Sequence, residues 1–169
     1  WQVDETLNDL FDEGYQVPIV IGIDNGGAER INDYTPWPNP NYGGGLGSLY
    51  IQFIVETLKP AIDDSMRTLP DRESTGLWGS SLGGLISHYG ALKHQDVFGK
   101  AGIYSPSYWF SDSVWMFTQQ MGHQYDMMLY QMTGSLEGGT MVEDTWKMND
   151  TLASLGFGSD ELLTKIIPG

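Results

Sequence analysis

Gly79-Ser80-Ser81-Leu82-Gly83 sets a serine between two glycines, each two positions away. A serine in that frame, between a strand and a helix, can be held on a sharp turn with its hydroxyl exposed as a nucleophile. Thr75 to Gly79 reads as such a strand and Leu82 to His94 as such a helix. Ser81 is therefore the candidate nucleophile, and bare glycines at 79 and 83 are expected because side chains there would block the turn. Ser80 has Trp78 and Leu82 at the same flanking places and fails that test. The Leu82 N–H, at the start of the helix, is expected as one of two oxyanion donors. The competing reading is a glycine-rich turn kept for packing.

A serine nucleophile needs a base, usually a histidine oriented by a carboxylate, in the chain order serine, acid, histidine. Glu137 lies just past a later strand in "MTGSLEGG" and is the candidate acid. Asp126 precedes that strand, and Glu143 and Asp144 fall inside the next helix. None of the histidines obeys the order. His88 is seven residues after Ser81, about 10 Å along the same helix. His94 is at that helix's far end, and His123 precedes Glu137. Each is expected on a surface or helix face, not as the base.

Other candidates are residues just past strands. Arg30, near Asp33 and Tyr34, is positioned either to grip a substrate carboxylate or phenolate or to form a loop salt bridge. Tyr108 and Trp109 in "SPSYWF" form either an aromatic wall or core packing. "GGGLG" at 43–47 follows a proline-rich coil and lacks a Lys-Ser or Lys-Thr pair, so no phosphate loop is assigned. No H-E-x-x-H or C-x-x-C occurs, and neither a metal nor a cofactor is assigned, although a calcium site in an Asp/Asn-rich loop stays open.

These residues need elements to position them. Val3, Leu7, Leu10 and Phe11 predict a helix stopped by Gly14. Val17 to Ile23 predicts a strand buried on both faces. From Ser48 a helix fits, with Leu49, Phe53, Ile54 and Leu58 on one side and a kink or stop at Pro60. After the strand 75–79 and helix 82–94 come strands at 100–105, 127–132 and 162–167. Helices fit near 113–121 and at 140–155. Small residues Gly83, Ser87, Gly90 and Ala91 give the helix after Ser81 a flat face. Alternation of this kind implies α/β architecture, a parallel sheet with helices on both faces and ligands at the carboxyl ends of the strands.

The 169 residues are expected as one domain over 1–169, with 40% hydrophobic and 18% charged residues. A net charge of −14 argues against nucleic acid and membrane surfaces as partners. The apolar runs are too short to span a bilayer. The chain has no cysteine and opens on Trp1, and its compartment and oligomeric state stay open.

With these residues in place, "IVIGIDNGGAERINDYTPWPNP", "FIVETLKPAID", "RTLPDRESTGLWGSSLGGLISHYGALKHQDVFGKAGIYSPSYWF" and "GSLEGG" give a resemblance covering most of the chain. The chain resembles the esterase group of α/β-hydrolases that includes enterochelin, feruloyl and acetylxylan esterases and S-formylglutathione hydrolases. That resemblance implies a three-layer α/β-hydrolase sandwich with a mainly parallel sheet. It also implies a serine ester hydrolase acting through an acyl-enzyme, with Ser81 at the nucleophile position and Glu137 at that of the acid. The implied partner is a small-molecule or carbohydrate ester. An acyltransferase and a non-catalytic carbohydrate-binding module on the same scaffold are the alternatives. The family also has strands before the point matching Trp1 and a histidine loop after the strand matching "LLTKIIPG". The chain is therefore expected as an internal fragment without its base and inactive alone. In that case Val17–Ile23 and Thr75–Gly79 are not paired and lie roughly 9–10 Å apart, with room for one strand between them.

Overall fold

The computed structural model describes residues 2–168. Its centre is a parallel sheet of β1 (Gly76–Ser80), β2 (Lys100–Tyr104), β3 (Met128–Gly134) and β4 (Leu162–Ile167), in that spatial order. The helices are α1 (Val3–Asp12), α2 (Arg30–Tyr34), α3 (Gly47–Phe53), α4 (Lys59–Ser65), α5 (Leu82–Lys93), α6 (Ser113–Met121) and α7 (Met141–Ser154). Three successive crossovers with strands added in one direction put their helices on one face when all are right-handed. Accordingly α5 packs on β1 and β2, α7 packs on β3 and β4, and α6 bridges α5 and α7.

The strand register shows the same division. Leu77, Ala101, Leu129 and Leu162 form one row under the helices, and Gly79, Ile103, Gln131 and Thr164 form the next. The opposite rows hold Trp78, Gly102, Tyr130 and Leu163, then Ser80, Tyr104, Met132 and Lys165. Trp78, Met128 and Leu163 on that face are exposed. Among the described residues the expected helices on both faces are present but unevenly shared. Only α1 borders the second face, where Val3, Thr6 and Leu7 line a groove with Ser80, Tyr104, Ser105 and Met132. Burial accordingly alternates along β3 and β4, whereas Ala101 to Ile103 of β2 are all buried.

The core centres on α5, whose residues from Leu82 to Leu92 are all buried. Leu85, Ile86 and Leu92 join Phe98, Ile103, Leu129, Met148 and Leu152 in one cluster. Each such side chain contributes roughly 1.5–3 kcal/mol on burial. Two glycines bring α5 close to its neighbours. A Cβ at Gly90 would lie 2.6 Å from Ile51 Cδ1 and 2.8 Å from Leu77 Cδ1. At Gly84 it would lie 2.8 Å from the Tyr104 carbonyl oxygen.

Three departures from the sequence reading have physical causes. Residues 17–23 form no strand, and Ile19 and Val20 are 51% and 50% exposed. A strand persists only with a ladder partner, and among the described residues β1 pairs with β2 alone. The expected lack of a ladder between 17–23 and β1 is seen, but without a strand the expected spacing has no counterpart. The core side of α3 is Gly47 and Ile51, continued by Ile54 in the turn that follows, whereas Leu49 and Phe53 are exposed. A π-helical turn at Ile54–Leu58 joins α3 to α4. Pro60, which has no N–H to donate, follows immediately in the first turn of α4. Among the described residues there are also four strands, not five. Gly14 does stop α1, adopting φ 89° and donating its N–H to Phe11 O at 2.9 Å.

Candidate active site

Ser81 forms the turn between β1 and α5 with φ 62° and ψ −122°. A positive φ is uncommon for a residue with a Cβ and costs of order 1–3 kcal/mol, so the surroundings must impose it. The Ser81 N–H donates to Tyr104 O at 3.0 Å. Its carbonyl accepts from Ser107 N–H at 3.1 Å and from Leu85 N–H, the first bond of α5, at 3.1 Å. The residue itself is exposed.

A Cβ at Gly79 would collide with the Gly83 carbonyl, so α5 can start here only over a bare Cα. At Gly83 an added Cβ would meet nothing within 4 Å. The steric reason expected for both motif glycines holds at Gly79 and is corrected at Gly83. Gly84, outside the motif, makes the second close approach, to Tyr104 O and, at 3.2 Å, to Pro106 Cα.

Leu82 is the first residue of α5. Among the described residues its N–H has no acceptor, as expected in a first helical turn, where the helix dipole favours negative charge. The Ser81 N–H is occupied by Tyr104 and is not available beside it.

Glu137 lies in the turn after β3, at the same end of the sheet as Ser81. Its Oε1 accepts from the Ser105 hydroxyl at 2.5 Å and from the Gly134 N–H at 2.8 Å. Among the described residues Oε2 has no hydrogen-bond donor. Ser105, just past β2, is itself held at φ 42°. Its N–H donates to Met132 O at 2.6 Å. One short segment, Ser105-Pro106-Ser107, thus touches both candidate residues. Ser105 holds Glu137, while Ser107 bonds the Ser81 carbonyl and places its Oγ 3.3 Å from Ser81 Oγ.

The histidines make contacts elsewhere. His88 is fully buried, with Nε2 2.8 Å from Thr118 Oγ1 and Nδ1 3.2 Å from the Tyr108 hydroxyl. Burial pulls its pKa down from 6.5 to about 3. It occupies a helix face, but an inward one, not a surface. His94 follows the last turn of α5. His123 Nε2 lies 2.9 Å from Glu161 Oε1 at the amino end of the sheet. The ligand atoms of His123, Asp126 and Glu161 lie within 4.8 Å of one another. Glu161 is already engaged there, since Oε1 also accepts from Met127 N–H at 2.8 Å and Oε2 from Gly158 N–H at 3.0 Å.

Tyr108 is 1% exposed, and its hydroxyl donates to Gln131 Oε1 at 2.8 Å. Of the two readings core packing holds for Tyr108, and its assignment to substrate binding is corrected. Trp109 is 50% exposed and meets Tyr42 edge-on with ring centroids 6.0 Å apart. Arg30 stacks over the Tyr34 ring at 5.4 Å, and among the described residues it has no ion pair. Gly43 to Gly45 all have positive φ and wrap Thr35, whose carbonyl accepts from Gly45 and Gly47 N–H at 3.0 Å each.

A groove of about 570 Å³ opens beside the site beneath α1, and its lining includes Ser80 and Ser105. Ser80 faces this groove, while Ser81 sits on the turn outside its lining. Sequence reasoning counts Ser105 to Trp109 among the residues that matter just past a strand, but it assigns Ser105 and Ser107 no role. The available signal was a Ser-Pro-Ser run directly past a strand, at the end of the sheet where ligands bind.

Similar proteins share this arrangement of elements. The chain is 30% identical over 164 residues to the uncharacterized protein YbbA of Bacillus subtilis, spanning 89% of this chain and 65% of that protein. The BES protein from Bacillus cereus superposes with a TM-score of 0.70 at 26% identity, covering 88% of this chain and 58% of that one. The siderophore hydrolase EstA from Aspergillus nidulans shares the fold with a TM-score of 0.75 at 19% identity, over 97% of this chain and 70% of its own. The chain thus spans less than two thirds of the length of YbbA and of the BES protein. The family model named Esterase matches residues 1–155. With that match over most of its length, on an α/β-hydrolase-like parallel sheet, the chain belongs to the Esterase family.

Proposed function

We propose that this chain carries the nucleophile and the acid of a serine ester hydrolase. The observation that carries the reading is Ser81 itself, exposed at φ 62° on the strand–helix turn over Gly79. Ser81 Oγ attacks the ester carbonyl carbon while its proton passes to a base. The oxyanion forms beside the Leu82 N–H and the positive end of α5. Collapse expels the alcohol, which takes the proton back from the base and leaves an acyl-enzyme. Water activated by the same base then hydrolyses it and restores the Ser81 hydroxyl.

Glu137 orients the base. Ser105 and Gly134 hold Oε1, and Oε2 accepts an imidazole N–H. His88, His94 and His123 do not have Ser81 among their hydrogen-bond partners. The reading therefore assigns the base to a histidine outside these 169 residues, and the 169-residue chain alone has no Ser81-dependent turnover. The substrate is a carboxylic ester of the carbohydrate-linked, siderophore or small-molecule kind. Trp109 and Arg30 are the residues this reading assigns to binding it.

The test uses the gene product that contains this chain. Ser81→Ala abolishes hydrolysis of p-nitrophenyl acetate, and Ser80→Ala leaves most of it. Equal losses from the two changes overturn the assignment.

A further inference from the structure

Ser107 is only 2% exposed. A buried hydroxyl without a hydrogen bond is costly, and among the described residues the one group that Ser107 Oγ meets is Ser81 Oγ, at 3.3 Å. The same residue's N–H already ties down the Ser81 carbonyl at 3.1 Å. A buried residue thus addresses the exposed one through both main chain and side chain. Its own main chain is fixed in turn, since Ser107 O accepts from Phe110 N–H at 3.1 Å.

We propose that Ser107 is a second catalytic hydroxyl, donating its hydrogen bond to the oxygen that attacks. This rests on Ser81 being the nucleophile. Ser81 has one hydroxyl proton, which goes to the base, so only Ser107 can be the donor between the two oxygens. The bond occupies one lone pair of Ser81 Oγ and leaves the other for the carbonyl carbon. It also fixes the χ1 of a residue whose backbone is already set. As the Ser81 O–H bond breaks, Oγ gains negative charge and the hydrogen bond strengthens, since charge-assisted bonds are about twice as strong as neutral ones. In deacylation the same donor meets Oγ again as it leaves the acyl carbon. Ser107 is buried and makes no contact with the substrate, so its effect falls on kcat and not on KM.

The experiment compares Ser107→Ala, Ser107→Cys and Ser107→Thr with the parent gene product, reading kcat, KM, thermal midpoint and the rate of Ser81 labelling by a fluorophosphonate. Ser107→Ala lowers kcat about tenfold, as expected for losing one such hydrogen bond in the transition state. KM stays within twofold, and labelling slows in parallel. Ser107→Cys, nearly isosteric but a weak donor, keeps the fold and loses at least threefold in kcat. Ser107→Thr, which keeps the hydroxyl, recovers activity relative to Ser107→Ala. If Ser107→Ala and Ser107→Cys both keep kcat within twofold while Ser81→Ala is inactive, the inference fails and the nucleophile assignment stands. A loss confined to KM or to the thermal midpoint likewise overturns it. If Ser81→Ala retains activity, the nucleophile assignment itself is what fails.

Discussion

The two glycines around Ser81 are equivalent in the motif but not in space, and substituting each by alanine separates the two accounts. At Gly79 an added methyl meets the Gly83 carbonyl, with Gly83 Cα at 3.0 Å. Both atoms are backbone and cannot rotate away, so α5 has to lift from β1. Overpacking of this kind costs about 1–3 kcal/mol, and for a chain of 169 residues it lowers the thermal midpoint by roughly 2–12 °C. The displacement occurs at the turn that holds Ser81, so hydrolysis falls further than stability alone requires. At Gly83 the added methyl meets nothing within 4 Å, and the residue lies in the first turn of α5 without a positive φ. Alanine there gains up to about 1 kcal/mol of helix propensity and raises the midpoint by about 2–4 °C. Thermal melts followed by circular dichroism, with p-nitrophenyl acetate turnover on the same samples, give both readings. A Gly83→Ala protein destabilised as much as Gly79→Ala would refute the geometric argument and return both glycines to a common steric role.

Two further outcomes follow from named contacts. Ser105→Ala removes one of the two donors on Glu137 Oε1 and lowers kcat/KM about tenfold, the expected effect of losing one hydrogen bond to a charged group; Ser105→Thr recovers part of it, and steady-state kinetics on the three proteins decides. His88 titrates near 6.5 when unfolded but only at about 3 when folded, so between those values the unfolded chain binds more protons and stability falls as pH drops. The slope approaches ~1.4 kcal/mol per pH unit, and His88→Gln flattens it; urea titrations from pH 7 to pH 4 that show equal slopes for both proteins contradict the buried neutral state.

What was legible in the sequence was whatever local pattern determines. The strands at 76–80 and 162–167 and the helices around them follow from apolar runs and period, with ends shifted by a residue or two. Gly14, Pro60 and the turn at Ser81 acted where backbone chemistry says they should. Val17–Ile23 has a strand's composition but not a strand's partner, and no local pattern reports whether a neighbouring edge is open. Tyr108 and Trp109 are adjacent in one 3₁₀ turn, Tyr108–Phe110, with one ring inward and one outward; a three-residue turn has no periodicity from which to tell them apart. Ser107 lies 26 residues from Ser81, so its contact exists only once β1 and β2 are paired. His88 read as a helix histidine, and only the packing of α6 and Tyr108 against α5 made it a core residue.

The central claim is that Ser81 Oγ is the atom that bonds to the acyl carbon. The direct measurement is covalent trapping in the gene product that contains this chain, by a fluorophosphonate, with peptide mass spectrometry to locate the adduct. A single adduct on Ser81, stoichiometric with loss of ester hydrolysis, lost in Ser81→Ala and kept in Ser80→Ala, is the result predicted. An adduct on Ser80 or on a serine away from the carboxyl ends of β1 and β2, or full inactivation with Ser81 unmodified, would contradict it.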